Sequence, residues 1–192
     1  LLHRPVYKDA ATPQGTYDFS PMFRQVKPLL ESADIAIANQ ETMIGGKELG
    51  LSSYPLFNSP VEIGDALKDA GIDLVTLANN HTLDKGEQAI QQALAYWDQI
   101  QMPYTGAFQS FADREDIRTL TKNDITFSFL AYSYGTNGMP IPKDKPYLIN
   151  LIDLPLIQQD VDTAKNLSDV VVVSMHWGNE YESMPSLFQL DL

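Results

Sequence analysis

The sequence predicts an α/β fold, a mostly parallel or mixed sheet flanked by helices, and three observations carry that prediction. Short apolar runs alternate with stretches whose apolar residues recur at helical spacing, as in a sheet built from strand–helix units. The run Val170-Val171-Val172-Val173-Ser174-Met175 is nearly continuous, as expected of a strand covered on both faces. Polar groups capable of chemistry follow several of these runs directly, which is where open α/β sheets bind ligands.

Taken in order, Leu1-Leu2 reads as the tail of a strand ending at His3. Ser20-Pro21 is a cap with a first-turn proline, and Met22, Phe23, Val26, Leu29 and Leu30 continue at helical spacing. Pro28 should kink or shorten that helix. A strand is expected over 34–39 and a long loop over 42–58, where Gly45-Gly46, Gly50, Ser52-Ser53 and Pro55 lie. Ser59-Pro60 repeats the cap signal ahead of Val61, Ile63, Ala66, Leu67 and Ala70, and Gly71 stops the helix. A strand over 72–78, a tight loop from Asn79 to Gly86 and a helix over 87–99 follow.

Residues 116–121 and 125–132 alternate polar and apolar around Asn123-Asp124, which predicts a hairpin. Tyr134 to Pro146 is a Gly/Pro-rich loop. A short strand over 147–150, a helix over 154–167, the strand over 170–175 and a final stretch of turns complete the reading.

A chain of 192 residues is expected to make one domain with a sizeable core. Twenty-five acidic against thirteen basic residues give a net charge of −12, which argues against nucleic acid as a partner. It leaves room for a small anionic substrate, because a bound divalent cation can dominate the field of a site. The absence of cysteine removes disulfides, thiolate metal sites and cysteine nucleophiles. No stretch approaches the ~18 apolar residues of a membrane span.

The chemistry gathers at strand ends. Asn79-Asn80-His81 supplies a hard carboxamide oxygen and an imidazole able to ligate metal or protonate a leaving group. Asp84 and Gly86 turn the chain into the following helix, and a turn with His81 on the surface is the competing reading. His176-Trp177-Gly178 places a second imidazole after the valine run, with Glu180 and Glu182 able to orient it or to stand as solvated loop charge. Glu41 follows Asn39-Gln40 at the end of another run, as a capping acid or as a metal-bridging carboxylate. His3 is a further candidate near the terminus, and Tyr134 follows a strand end where it could touch substrate. No phosphate-binding glycine loop, nucleophile elbow or H-E-x-x-H element is present.

Asn39-x-Glu41, Leu77-Ala78-Asn79-Asn80-His81-x-x-Asp84-x-Gly86 and Ser174-x-His176-Trp177-Gly178-x-Glu180-Tyr181 resemble the motifs of the CapA-type poly-γ-glutamate capsule biosynthesis proteins. That family is similar in fold to the calcineurin-like metallophosphoesterases, so the resemblance implies a four-layer α/β/β/α sandwich. It also implies two divalent metal ions (manganese, iron or zinc), with Glu41 bridging them, Asn80 and His176 ligating, and His81 donating a proton. Asn79, Trp177, Glu180, Tyr134 and His3 would support substrate or ligands. The family's first-strand aspartate would lie just before Leu1 and its Gly-His-x-x-His element beyond Leu192, so residues 1–192 are expected to form one domain incomplete at both ends. The implied partners are an anionic small molecule or poly-γ-glutamate and other membrane components of capsule synthesis, with an extracytoplasmic, anchored location for the parent protein.

Three functional readings follow, the first two being a metal-assisted hydrolase or transferase and a non-catalytic binding or export subunit of capsule assembly. A plain α/β binding domain whose polar strand ends are only turns is the third. The site reading requires Glu41, Asn80, His81 and His176 to converge on one pocket.

Overall fold

A computed structural model describes residues 1–192. Three parallel strands, β1 (Ile37–Asn39), β2 (Leu74–Thr76) and β3 (Tyr104–Thr105), form one sheet in that order. The β1-to-β2 connection carries α4 (Glu62–Asp69), and the β2-to-β3 connection carries α5 (Gly86–Gln99). A second sheet has the order β4 (Arg118–Lys122), β5 (Ile125–Ser133), β6 (Val170–His176). Its first pair is an antiparallel hairpin and its second is parallel, crossed over by α7 (Leu154–Lys165). The predicted mixed α/β architecture is therefore the one observed.

Local chemistry accounts for the turns and breaks. Asn123 and Asp124 both take positive φ, which makes the two-residue loop whose twist matches a hairpin. The expected helix at 20–30 is two pieces, α2 (Ser20–Phe23) and α3 (Lys27–Glu31), because Pro28 has no N–H to give and so sits in the first turn of the second piece. Ser59 does not cap α4, since its hydroxyl is 2.7 Å from that of Thr42. Gly64 on α4 is needed where it stands: a Cβ there would lie 2.9 Å from the Trp97 ring of α5.

Several expectations need correction. The Val170–Met175 run is not covered on both faces: no residue of β6 is fully buried, and Val170 and Val173 are exposed, because α7 alone crosses over this strand. Leu1-Leu2 is not strand: His3 is the N-cap of a short helix, α1 (Arg4–Asp9), started by Pro5. The strand expected at 147–150 is a 3-10 turn, Pro146–Leu148, because Pro146 starts a turn and the apolar side chains are buried without a ladder. Strand β3 went unpredicted because two residues are too short to show periodicity. The terminal stretch holds α5's and α7's much smaller counterpart α8 (Leu187–Asp191), opened by a Ser186/Gln189 capping box; α6 (Phe111–Glu115), capped by Ser110, is likewise too short for a periodic signal.

The main core lies around the first sheet and its two long helices, with Val75, Leu77, Ile90, Leu94 and Trp97 fully buried. The second sheet meets it closely at Gly106. At Gly106, φ +95°, a Cβ would lie 2.7 Å from Ala78 and 3.0 Å from Ala131, so only glycine lets these backbones meet. Asn150 stitches the same place, its N–H donating to Gly106 and its carbonyl accepting from Ser133. The carboxyl ends of β1, β2, β5 and β6 thereby face one region. No helix is long and apolar enough to cross a membrane.

Candidate active site at the shared edge of two sheets

That region is a cleft of about 780 Å³ whose lining includes Glu41, Asn80, His81, Tyr134, His176 and Trp177. The four residues required to converge do so. A larger share of another cavity's wall is apolar, but that cavity, beside Arg114 and Tyr147, contains none of them.

Each group is aimed by its element. The loop after β2 is built by Asn79 and Thr82: Thr82 Oγ1 donates to the Leu77 carbonyl (2.6 Å) and accepts from the Asn79 N–H (3.1 Å). Asn79 itself is fully buried, donating to the Gln40 and Leu77 carbonyls and accepting from the His81 N–H. It ties the end of β1 to this loop and does not line the cleft. Asn80, next in the chain, is thereby turned outward.

His176 ends β6, and its Nε2 lies 3.0 Å from Asn80 Oδ1 and 3.9 Å from Glu41 Oε1. One imidazole nitrogen, one carboxamide oxygen and one carboxylate oxygen thus share a small volume. Burial pulls the His176 imidazole below its ordinary pKa; the Glu41 carboxylate opposes this and His81 adds to it. Its neutral form, the one that ligates metals, is favoured. Hard oxygen and imidazole donors of this kind suit manganese, zinc or iron, and a cation would take the place of the proton now shared between His176 and Asn80. Elsewhere no three His, Asp or Glu side chains come together as a metal cage, and here only Glu41 and His176 do, with Asn80 as the third donor. The residues therefore fit one cation held by three donors.

His81 faces the same cleft with a different partner. Its Nδ1 is 2.7 Å from Asp84 Oδ2, which also accepts the Phe57 N–H at 2.7 Å. The Asp84 side chain is 1% exposed, so this carboxylate is screened from water and its negative charge is directed at the ring. A carboxylate only accepts, so Nδ1 carries the proton and Nε2 is left to exchange one in the cleft. Phe57 packs edge-on against His81 at 4.8 Å.

The remaining candidates divide. Tyr134 stacks on His176, 6.1 Å between centroids, and half its surface is exposed to the cleft. Trp177 lines the cleft and packs against Phe188 of α8, and Glu180 is on the rim. Glu182 and His3 are not among the lining residues. His3 stands behind the site, edge-on to Phe57 at 5.0 Å. Sequence reasoning passed over Asp84, treated as a turn residue although three positions from His81, and Asn137, which lay unremarked in the Gly/Pro-rich loop from Tyr134 to Pro146. The Tyr54-Pro55-Leu56 wall lay inside what read as featureless loop.

Fold and site define an α/β protein with two sheets whose strand ends bring carboxylate, carboxamide and imidazole groups to one cleft. The chain belongs to the family Bacterial capsule synthesis protein PGA_cap, which matches residues 1–192. It is 27% identical over 184 residues to the Capsule biosynthesis protein CapA of Bacillus anthracis, covering 88% of this chain and 43% of that protein. It is 26% identical over 193 residues to the PGA biosynthesis protein CapA of Bacillus subtilis (strain 168), covering 94% and 48%. An Uncharacterized protein y4sH of Sinorhizobium fredii is 29% identical over 106 residues. The chain spans just under half the length of the two CapA relatives.

Proposed function

We propose that this chain carries a metal-assisted hydrolase or transferase site that serves capsule assembly, acting at the cell surface on poly-γ-glutamate or an anionic precursor. The convergence of Glu41, Asn80 and His176 with an Asp84-backed His81 supports this reading. The relatives' names point it toward the capsule. The roles follow from the chemistry. Glu41, Asn80 and His176 would hold one divalent cation, which when bound polarises a phosphoryl or carbonyl oxygen and acidifies a water near neutral pH. His81 protonates the departing group through Nε2, with Asp84 fixing the ring and balancing the imidazolium that precedes transfer. The cleft lining contains Glu41 and Glu180 and no Lys or Arg. An anionic substrate accordingly has no permanent protein cation to bind, only the imidazoles, and its affinity should depend on the metal. The second cation of the pair implied by the resemblance finds no further cluster of His, Asp and Glu here.

Equilibrium dialysis against manganese, read by elemental analysis, tests the proposal. The chain should bind near one equivalent, and His176→Ala should weaken binding at least ~10-fold. Phosphoesters and γ-glutamyl amides are then screened with the loaded protein, and His81→Ala should abolish turnover while keeping metal. Protein that stays metal-free with manganese, zinc and iron would sink the catalytic reading. The alternative is a binding or export subunit, for which His81→Ala would leave function in capsule assembly intact.

A further inference from the structure

We infer that Asn137 is a positioning residue that fixes which way the Asn80 carboxamide faces, an inference resting on the metal-site reading above. Asn80 can serve a cation only through its oxygen. A primary amide has nearly the same shape with oxygen and nitrogen exchanged, so something must decide which atom points at His176. The decision falls on the other end of the group. Asn80 Nδ2 donates to Asn137 Oδ1 at 3.1 Å, and Oδ1 is then left directed at His176 Nε2, 3.0 Å away.

The backbone of Asn137 is shaped for this task. It has φ +51° and is followed by Gly138 at φ +78°. The Met139 N–H donates to the Thr136 carbonyl at 2.9 Å, closing a turn with both central residues left-handed, which Asn-Gly fills best. The Thr136 hydroxyl clamps the same turn through the Met139 carbonyl at 2.6 Å. This turn follows β5, the strand paired to β6, so the segment that orients Asn80 is anchored to the sheet that delivers His176. Asn137 therefore couples a group from the first sheet to the geometry of the second.

Asn137→Gly is the variant to make, because glycine accepts φ +51° without strain and the turn should close unchanged. Asn137→Asp keeps an acceptor oxygen opposite Asn80 and serves as the rescue. Two readouts are needed: the Asn80 side-chain amide resonance of metal-free protein in ¹⁵N–¹H spectra, assigned with Asn80→Ser, and the manganese dissociation constant. We expect Asn137→Gly to shift that resonance and to weaken manganese binding ~10-fold or more, with Asn137→Asp within ~3-fold of the parent. An unmoved resonance in Asn137→Gly overturns the inference whatever the metal does. A shifted resonance with unchanged manganese affinity overturns its bearing on the metal. A shifted resonance in a protein that never binds manganese leaves the orientation of Asn80 by Asn137 standing and removes the proposed function instead.

Discussion

The two sheets are held by different forces. Around β2 and α5 the side chains of Val75, Leu77, Ile90, Leu94 and Trp97 are fully buried in one continuous apolar core. Around β5, β6 and α7 the separate apolar cluster is only Leu130, Tyr132 and Ala164, while Val170 and Val173 of β6 and Leu187 and Phe188 of α8 are exposed. A buried polar network stands there instead. Arg114 grips Asp160 with both terminal nitrogens, at 3.2 and 2.6 Å, and reaches Asn150 with Nε; the Tyr132 hydroxyl donates to the same carboxylate at 2.7 Å. Apolar burial is non-directional and tolerant, whereas a buried network stabilises only while every partner is present. Glu41, Asn80 and His81 rest on the first kind of support, and His176 rests on the second.

The largest test of that difference is truncation of the core. Trp97→Ala removes a side chain that is 0% exposed and should cost about 4 kcal/mol of unfolding free energy, measured by urea denaturation. Val173→Ala, at 37% exposure on β6, should cost no more than ~1 kcal/mol. Equal losses would mean that the two sheets share one core, and the comparison would fail.

The next effect sharpens the comparison. Asp160→Ala strips the carboxylate from Arg114 and Tyr132 together and should cost about 2–3 kcal/mol, since a largely buried guanidinium and a buried hydroxyl lose their partner. The chain has two tryptophans, Trp97 in the first half and Trp177 in the second. Trp97→Phe and Trp177→Phe backgrounds therefore report the halves separately by fluorescence. In Asp160→Ala the transition reported by Trp177 should move to lower urea than that reported by Trp97. Coincident transitions would show a single cooperative unit.

How much of this could be read from sequence follows the same division. The first half obeys periodicity: helix 87–99 was expected and Gly86–Gln99 is found, because Ala89, Ile90, Ala93, Leu94 and Trp97 repeat on one face over fourteen residues. The strand ends carrying Glu41, Asn80 and His176 were legible because a short apolar run stops at polar groups. Strand lengths were overestimated, since the apolar residues of 34–39 and 72–78 mark burial, and ladder bonding stops sooner, leaving Ile37–Asn39 and Leu74–Thr76. What escaped was set by contacts distant in sequence. The Arg114–Asp160 pair spans forty-six residues and Asn80–Asn137 fifty-seven, and no local pattern marks either. Asp84 is close to His81 in sequence but indistinguishable from an ordinary turn aspartate until its burial is seen.

The smallest effect lies in alkaline solution and tests the polar half through one proton. Burial pushes the Tyr132 hydroxyl well above its ordinary pKa, and the Asp160 carboxylate it donates to pushes the same way, with Arg114 opposing. Burial also pushes Tyr104 of β3 up to about 12, with its Gln109 hydrogen bond opposing. In the unfolded chain both titrate near pH ~10. Above that pH the unfolded state loses protons that the folded state keeps, so stability is full below pH ~10 and declines as pH rises toward the folded values. Tyr132→Phe removes that residue's share of the decline and also its hydrogen bond, worth ~1 kcal/mol. The variant should be the less stable protein at pH ~8, and its deficit should shrink or reverse by pH ~11, as read by urea denaturation across that range. Tyr104→Phe should narrow the gap in the same direction by less, because its pKa is displaced less. Parallel stability curves for Tyr132→Phe and the parent would show that the hydroxyl ionises as freely in the fold as out of it, and the network would then be a surface feature with no hold on β6.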